Sequence, residues 1–348
     1  MTGSTTLMRA EMLEAPVRVR EQLTRNANLV RAAGERLRAL APPFAATLAR
    51  GSSDQAAAFA KVLLETRAGL PVLSHSPSIG SLYHATSPRF DGVPLIAISQ
   101  SGKSPDLIAA AQDAQAKGAV VVAIVNDDAS PLATLADIAI PVHAGAERSV
   151  AATKSLIATL VALVHLAAEW SGDAGLRAAL AAVADRLDTA AAQDWGAAIP
   201  LLTGAASLLV LGRGPTLPIA GEAALKLKET SGVHAEAFSV AEVAHGPMTL
   251  IGAGDPVLVF APADAARAGV AERIADFAAR GARVIATGPA DAVGGATLVL
   301  PAAGEADDPV VAAIAELQAF YGLAEHLARA RGRDPDQPPH LAKVTRTL

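Results

Sequence analysis

The sequence predicts an α/β protein built from two tandem doubly wound domains, each with a five-stranded parallel sheet flanked by helices. Short apolar runs rich in Val, Ile and Leu alternate with longer Ala-rich stretches, a rhythm typical of βαβ units. Five such runs occur in each half, in the same order and at similar intervals. The 348 residues also suit two domains of about 150 residues better than one.

The candidate strands and their flanking turns repeat between the two halves. The strands are Phe44–Arg50, Pro71–Ser76, Pro94–Gln100, Val120–Asn126 and Ile138–His143, then Ser207–Arg213, His234–Phe238, Pro256–Pro262, Arg283–Gly288 and Leu298–Ala302. Matching turns are Arg50-Gly51 and Arg213-Gly214 after the first strands, and Lys117-Gly118 and Arg280-Gly281 before the fourth. Such a repeat indicates a duplicated domain.

The domain boundaries are predicted from this duplication. Residues 1–40 are expected to form a helical lead-in, 41–180 the first domain and 195–335 the second. The polar, Pro-rich segment 336–348 is expected to form a C-terminal tail that closes the functional site.

Composition excludes several classes of partner and site. Apolar residues make up 51% of the chain and aromatic residues 3%, so Ala, Val, Leu and Ile are expected to fill the core. The net charge is −5 and no Lys- or Arg-rich run stands out, so we expect no nucleic-acid partner. There is no cysteine, which excludes disulfides, thiolate metal sites and a cysteine nucleophile within this sequence and fits a reducing cytosol.

The sequence contains no signal peptide or membrane span that we recognise. The N-terminus carries Glu11 and Glu14 and lacks an apolar signal core. The longest apolar stretch, Ser155 to Trp170, is shorter than a membrane span and contains His165 and Glu169. We therefore expect a buried helix there, and a soluble, cytoplasmic protein without membrane contact.

Polar side chains cluster directly after the strongly apolar strand Pro94–Ile98, in Ser99-Gln100-Ser101-Gly102-Lys103-Ser104-Pro105-Asp106. Gly102 permits close backbone approach, while Ser104 and Pro105 suit the N-cap and the first turn of a helix. Free N–H groups at such a helix start favour an anion, which predicts a phosphate site at the carboxyl end of a strand. The alternative is an ordinary strand-to-helix turn capped by Ser104.

The second half differs at the matching place, where Ala261-Pro262-Ala263-Asp264 lacks hydroxyl groups. We therefore expect one phosphate per chain, bound by the first domain. Neither loop has P-loop spacing, and no HExxH, GxSxG or complete GxGxxG pattern occurs. No metal or organic cofactor is expected.

Several ionisable side chains are candidates for acid–base chemistry. Lys226 and Glu229 are three residues apart and share a helical face, so the carboxylate could move a proton between adjacent carbons. A solvated Lys–Glu face is the alternative. His245 precedes Gly246-Pro247 and so lies in a loop, where it could open a sugar ring or be structural. His234, on a predicted strand, is interpreted as structural, and Lys343 lies near the C-terminus.

These segments together resemble the SIS (sugar isomerase) domain family, in particular the isomerase half of glucosamine-6-phosphate synthase. The resemblance spans nearly the whole chain, and the segments occur in the same order. They are Met8–Pro16, Gly51-Ser52-Ser53, Ser99-Gln100-Ser101-Gly102, Val150-Ala151-Ala152-Thr153-Lys154, Ala224–Glu229, His245-Gly246-Pro247, Asp336-Gln337-Pro338 and Leu341-Ala342-Lys343.

The resemblance implies a role for each matching side chain. Those that would hold the phosphate are Ser99, Gln100, Ser101, Ser104 and Ser52. Those that would line the sugar are Ser53, Val150 and Ala342. Glu229 would shuttle the proton between C1 and C2, with Lys226 beside it. His245 would assist ring opening from the neighbouring subunit of a homodimer, and Lys343 would form an imine with the open-chain ketose.

Three departures from that resemblance bear on the reaction. The synthase has an N-terminal glutaminase domain with a cysteine nucleophile, which this sequence lacks. Arg50 and Lys103 replace Cys and Glu, which is expected to add positive charge near the phosphate loop, and Ala152 replaces a Ser.

The function expected from these features is that of a glucosamine-6-phosphate deaminase, which acts on a phosphorylated amino sugar and gives fructose 6-phosphate and ammonia. Alternatives are a galactosamine-6-phosphate deaminase, a glutaminase-less synthase or plain phosphosugar isomerase, and a non-catalytic phosphosugar sensor.

Overall fold

The computed structural model describes residues 5–303 and 308–343. These residues form two five-stranded sheets in which every strand pairing is parallel. Contacts divide the chain into two compact units. The first-sheet unit comprises residues 15–147, 154–184 and 342–343, and the second-sheet unit comprises residues 5–14, 148–153, 185–303 and 308–341. The predicted fold class is confirmed. Each of these units combines several separate segments of the sequence, whereas each predicted domain is one continuous segment.

The first sheet has the strand order β2-β1-β3-β4-β5. Its strands are β1 (Ala45–Leu48), β2 (Val72–Ser74), β3 (Pro94–Ser99), β4 (Val120–Val125) and β5 (Ile138–Pro141). β3 is buried along its whole length and pairs with β4 from Pro94↔Val120 to Ser99↔Val125. Helices cover such a sheet on both faces, which explains why these strands are continuously apolar.

Helices surround this sheet and supply much of its core. They are α2 (Ser52–Arg67), α3 (Pro77–Ser81), α4 (Pro105–Gln115), α5 (Pro131–Leu135), α6 (Lys154–Ser171) and the start of α7 (Ala174–Ala191). Leu107 and Ala111 of α4 belong to one buried cluster with Leu95 of β3 and Val121 of β4. The apolar stretch predicted to be a buried helix is α6, which confirms that prediction.

The lead-in is the long helix α1 (Leu7–Leu40). Its residues up to 14 belong to the second-sheet unit and the rest to the first-sheet unit. Across residues 5–303 and 308–343, no helix is both long and apolar enough to cross a membrane.

The second sheet repeats the first, with the order β10-β9-β8-β6-β7. Its strands are β6 (Ser207–Gly212), β7 (His234–Ser239), β8 (Pro256–Phe260), β9 (Arg283–Thr287) and β10 (Leu298–Val299), and its helices are α8 (Ile199–Leu202), α9 (Thr216–Lys226), α10 (Val270–Ala279), α11 (Ala290–Val293) and α12 (Pro309–Ala330). The duplication extends to turn conformation, because Gly51 and Gly214 both have φ of 56° after the first strand of their sheets.

The ends of β10 and of α9 differ from what the sequence predicts. β10 was expected to reach Ala302 but ends at Val299, because Pro301 has no N–H to continue the ladder and its carbonyl accepts a hydrogen bond from the Trp195 indole at 3.0 Å. The helix carrying Lys226 and Glu229 changes at Leu227–Ser231 into a π-helical turn, which Gly232 ends with φ of 60°.

Glu316 of α12 is a buried carboxyl group in the second-sheet unit. It is only 6% exposed, and its oxygens accept hydrogen bonds from the Thr287 hydroxyl at 2.7 Å and the Ala303 N–H at 3.1 Å. Burial raises the pKa of Glu316 to about 7, although both hydrogen bonds act in the opposite direction. The folded protein therefore holds a proton that the unfolded chain releases at lower pH.

This carboxyl group is expected to make the fold less stable as pH rises. Between the ordinary pKa of 4.5 and about 7, the folded state binds more protons than the unfolded state, so the free energy of unfolding falls. The shift corresponds to about 3 kcal/mol. In Glu316→Gln, urea denaturation should show a smaller decline between mildly acidic and mildly alkaline pH than in wild type. An equal decline in both proteins would contradict this assignment.

Candidate active site

The serine-rich loop lies at the carboxyl end of β3, where the sequence predicts it. Gly102 has φ of 62°, and the N–H of Gly102 donates a hydrogen bond to the Ser99 hydroxyl at 3.1 Å. A Cβ on Gly102 would lie 2.1 Å from the Ser130 hydroxyl oxygen, so only glycine fits this close approach. Ser104 stands at the N-cap position of α4, but its side chain does not cap the helix. The Ser104 hydroxyl therefore does not act as the helix cap that the sequence suggests.

Two further serines, Ser52 and Ser53, lie at the same edge of the first sheet. Ser52 and Ser53 begin α2 directly after β1, and β1 is the neighbour of β3 in the sheet. The connections after these two strands leave in opposite directions along the sheet order, which marks the switch point where open α/β sheets bind ligands. The first-sheet unit thus gathers Ser52 and Ser53 with Ser99, Gln100, Ser101 and Ser104.

The two cations expected to add charge near this loop are each held by a carboxylate. Arg50 donates through Nε and Nη2 to Asp106 Oδ2, at 3.0 and 2.8 Å. Lys103 Nζ lies 2.7 Å from Asp127 Oδ2, and this hydrogen bond is the main reason that the pKa of Asp127 is lowered. The expectation of added positive charge therefore needs correction, because these pairs offset much of it.

The second-sheet unit contains a carboxylate–ammonium–carboxylate group. Lys226 is 1% exposed, its Nζ lies 3.5 Å from Glu222 Oε1, and it also donates to Glu229 Oε2. Glu222 is equally buried and accepts a hydrogen bond from the Tyr321 hydroxyl at 3.2 Å. A solvated Lys–Glu face is therefore wrong for this pair. Glu229, with 22% of its side chain exposed, is the member that a ligand can reach.

Glu222 is a participant that sequence reasoning did not single out. It lies four residues before Lys226 on α9, a spacing that places both side chains on one helical face. That spacing was the available signal. The two carboxylates both contact one ammonium, and Glu229 is the partly exposed one of the two.

His245 makes no hydrogen bond or ion pair with the Glu222–Lys226–Glu229 group within the described residues. It ends the short 3₁₀ helix Glu242–His245 and is exposed, and Gly246 follows with φ of 152°. His245 thus lies in the connection between β7 and β8, but in a short helical turn of it and not in an irregular loop. Within residues 5–303 and 308–343, no hydrogen bond joins His245 to Glu229. His234 begins β7, as expected, and is also exposed.

The C-terminal lysine is not a solvated tail amine. Lys343 Nζ donates to Glu147 Oε2 at 3.0 Å, within the first-sheet unit. Glu147 is buried and also accepts hydrogen bonds from the Ser155 hydroxyl at 2.6 Å and the Ser155 N–H at 3.2 Å. Glu147 was missed because its partner is 196 residues away in sequence.

Two further motif segments are held by buried or capping carboxylates of the second-sheet unit. Asp336 accepts hydrogen bonds from the Leu7 and Met8 N–H groups, both at 2.7 Å, at the start of α1. Glu11 accepts from the N–H groups of Arg148 and Ser149, just before Val150. Val150 is half-buried, and Ala342 of the first-sheet unit is exposed.

Comparison with known proteins gives the relationship of this chain. A model of the SIS domain family matches residues 45–169 and 201–288. The glutamine–fructose-6-phosphate aminotransferase (isomerizing) of Caulobacter vibrioides is 34% identical over 312 residues, covering 85% of this chain and 51% of that protein. The chain therefore spans about half the length of the curated relatives it matches.

Two solved structures match almost the entire chain. A protein from Silicibacter pomeroyi DSS-3, provisionally named a phosphosugar isomerase, has a TM-score of 0.89 and 42% identity, covering 95% of this chain and 100% of that one. The C-terminal domain of glucosamine-fructose-6-phosphate aminotransferase from Francisella tularensis has a TM-score of 0.86 and 27% identity, covering 97% and 99%.

The two folded repeats and these matches define the class. The chain belongs to the SIS domain family. This membership confirms the resemblance seen in the sequence.

Proposed function

We propose that the chain is a glucosamine-6-phosphate deaminase, which isomerises an aldose amino sugar and releases ammonia. The observation that carries the proposal is the buried Lys226 placed against both Glu222 and the accessible Glu229. Moving a proton between adjacent carbons requires one group that accepts it and returns it. A carboxylate beside a fixed ammonium has both capacities.

The proposed reaction keeps its atoms in balance. Glu229 takes the C2 proton of open-chain glucosamine 6-phosphate and returns a proton to C1, while O1 gains a proton and the amino nitrogen loses one, which leaves an imine at C2. Lys343 attacks this carbon and displaces ammonia, and water then hydrolyses the lysine imine to free fructose 6-phosphate. One water is consumed and one ammonia is released for each turnover.

The other residues have supporting roles in this proposal. The phosphate is bound by Ser52, Ser99, Gln100, Ser101 and Ser104, and the sugar is lined by Ser53, Val150 and Ala342. Support for phosphate binding comes from the positive φ of Gly102 and from the Ser104 hydroxyl that does not cap its helix.

The nitrogen product is the part of the proposal that can be tested most simply. The 348 residues contain no cysteine, so they provide no thiol to release ammonia from glutamine. The purified chain should release ammonia and fructose 6-phosphate in equal amounts from glucosamine 6-phosphate. Galactosamine 6-phosphate and N-acetylglucosamine 6-phosphate serve as comparison substrates. Faster turnover of the galacto sugar would favour the alternative deaminase, and glutamine-dependent synthesis by this chain alone would refute the proposal.

Glu147 is expected to position Lys343 for imine formation. Glu147→Gln keeps the shape but removes the charge that holds the ammonium, so trapping of fructose 6-phosphate on Lys343 by borohydride should fall by about tenfold, the scale of one ion pair to a buried carboxylate. Glu65→Gln, which removes the exposed pair with Lys61, is the matched control and should trap normally. Normal trapping in Glu147→Gln would contradict the proposal that Glu147 positions Lys343.

If His245 of one subunit completes the active site of the other, two inactive variants should restore activity when they form mixed dimers. A mixture of His245→Ala and Glu229→Gln should regain part of the wild-type activity, because one site of the mixed dimer would carry neither substitution. The measurement is specific activity after subunit exchange, with each variant mixed with itself as the control. Absence of rescue after demonstrated exchange would argue that each chain completes its own site.

A further inference from the structure

A cavity of about 690 Å³ lies within the second-sheet unit, and none of the described residues that line it has a role in the proposed reaction. It is lined by Thr216 after β6, Ala261 after β8, Gly288 after β9, and Glu316 on α12. β6 and β8 are neighbours at the switch point of the second sheet, where open α/β sheets bind ligands. Its volume is in the range of small-molecule sites.

Glu316 is the buried charged residue among the described residues that line this cavity. Its two oxygens each accept one hydrogen bond, from the Thr287 hydroxyl and the Ala303 N–H. A carboxylate has about four acceptor positions, so it can accept further hydrogen bonds from a ligand. Burial raises the pKa of Glu316 although both hydrogen bonds lower it, so the two donors offset only part of the cost of burying its charge. A cationic donor from a ligand would offset more of that cost.

The surroundings disfavour a phosphate in this cavity. The turn after β8 has no hydroxyl group, and the N–H of Ala266 in this turn already donates to the Asp264 carboxylate at 2.9 Å. Among the described lining residues, Arg267 lies 3.5 Å from Asp291, so its charge is already offset. Together with Glu316, this makes the lining neutral to negative. A dianion would be repelled and a cation attracted.

We propose that this cavity is a second ligand site, which binds a small hydroxylated amine without phosphate, such as a free amino sugar. The ammonium group of the ligand hydrogen-bonds to Glu316. The carbon skeleton lies against the apolar wall that Pro289, Ala312 and Ala313 provide. The duplicated domains thereby bind different chemical classes at equivalent edges of their sheets, a phosphate ester at the first and an amine at the second.

The test uses glucosamine as the probe, glucose as its neutral counterpart and inorganic phosphate as the anion, with calorimetry on the full chain. Wild type should bind glucosamine at least tenfold more tightly than glucose and release protons near neutral pH, as Glu316 ionises. Excess inorganic phosphate should leave glucosamine binding unchanged, which separates this site from the phosphate loop. Failure of the proposed deaminase reaction would not alter these results.

Two substitutions locate the binding. Glu316→Gln should weaken glucosamine binding at least tenfold and leave glucose binding unchanged. Ala263→Trp, at the exposed rim, should block both ligands without touching the buried carboxyl group. Glu272→Gln, an exposed carboxylate on α10, is the matched control. Absence of saturable glucosamine binding to wild type, binding unchanged in both cavity variants, or displacement by phosphate would each overturn the proposal.

Discussion

Replacing Glu229 with Gln is expected to lower kcat by about 100-fold or more, the usual scale for an acid–base group. The substitution keeps the side-chain shape and a hydrogen bond to Lys226 but removes the basic oxygen. A 100-fold loss corresponds to about 2.7 kcal/mol of transition-state stabilisation. KM should change little, because Glu229 is assigned to the proton and not to the phosphate. Steady-state kinetics with glucosamine 6-phosphate measures both.

The same experiment needs a control for the loss of a negative charge. Glu272→Gln removes an exposed carboxylate in the same unit and should leave kcat unchanged. Near-normal turnover in Glu229→Gln would show that another group moves the proton. The proposed role of the Glu222–Lys226–Glu229 group would then be lost.

Replacing Ser101 with Asp is expected to raise KM for the sugar phosphate by about 100-fold or more, which corresponds to about 2.7 kcal/mol. Two unit charges about 4 Å apart near a protein surface interact by about 4 kcal/mol, so repulsion between the new carboxylate and the phosphate is large enough. Ser101→Ala should raise KM by a smaller factor, because it removes one hydroxyl and adds no charge.

A matched serine-to-aspartate control is available in the same unit. Ser87 is an exposed N-cap residue whose hydroxyl accepts from the Arg89 N–H, and aspartate serves that position equally well. Ser87→Asp should therefore keep normal kinetics. Unchanged KM in Ser101→Asp would mean that the phosphate binds elsewhere.

The sheets and the phosphate loop could be predicted from local sequence because their signals are local. β3 and β8 are buried along their whole length, so their residues form continuous apolar runs. The loop after β3 combines Gly102, serines and Pro105 within a few residues. The end of β10 at Val299 is harder to predict, because it depends on the hydrogen bond from the Trp195 indole to the Pro301 carbonyl, which joins residues far apart in sequence.

The carboxylates around the lysines could not be predicted in the same way. The Glu147–Lys343 pair joins residues 196 positions apart, and no periodicity links them. The burial of Lys226 by Glu222 and Tyr321 likewise depends on packing between α9 and α12. Arg50 and Lys103 suggested a positively charged loop only because their partners, Asp106 and Asp127, were not considered with them. Charge at a site depends on tertiary pairing, which composition does not give.

Proton transfer between C1 and C2 is the central claim, and solvent exchange measures it most directly. The purified chain is incubated with glucosamine 6-phosphate in deuterated water, and the sugar phosphates are followed by NMR. We expect deuterium at C1 of the fructose 6-phosphate that forms, because the proton on Glu229 exchanges with the solvent before C1 receives it. Glu229→Gln should reduce the rate of incorporation by about 100-fold. No incorporation and no conversion by the wild-type chain, or equal rates in both proteins, would contradict it.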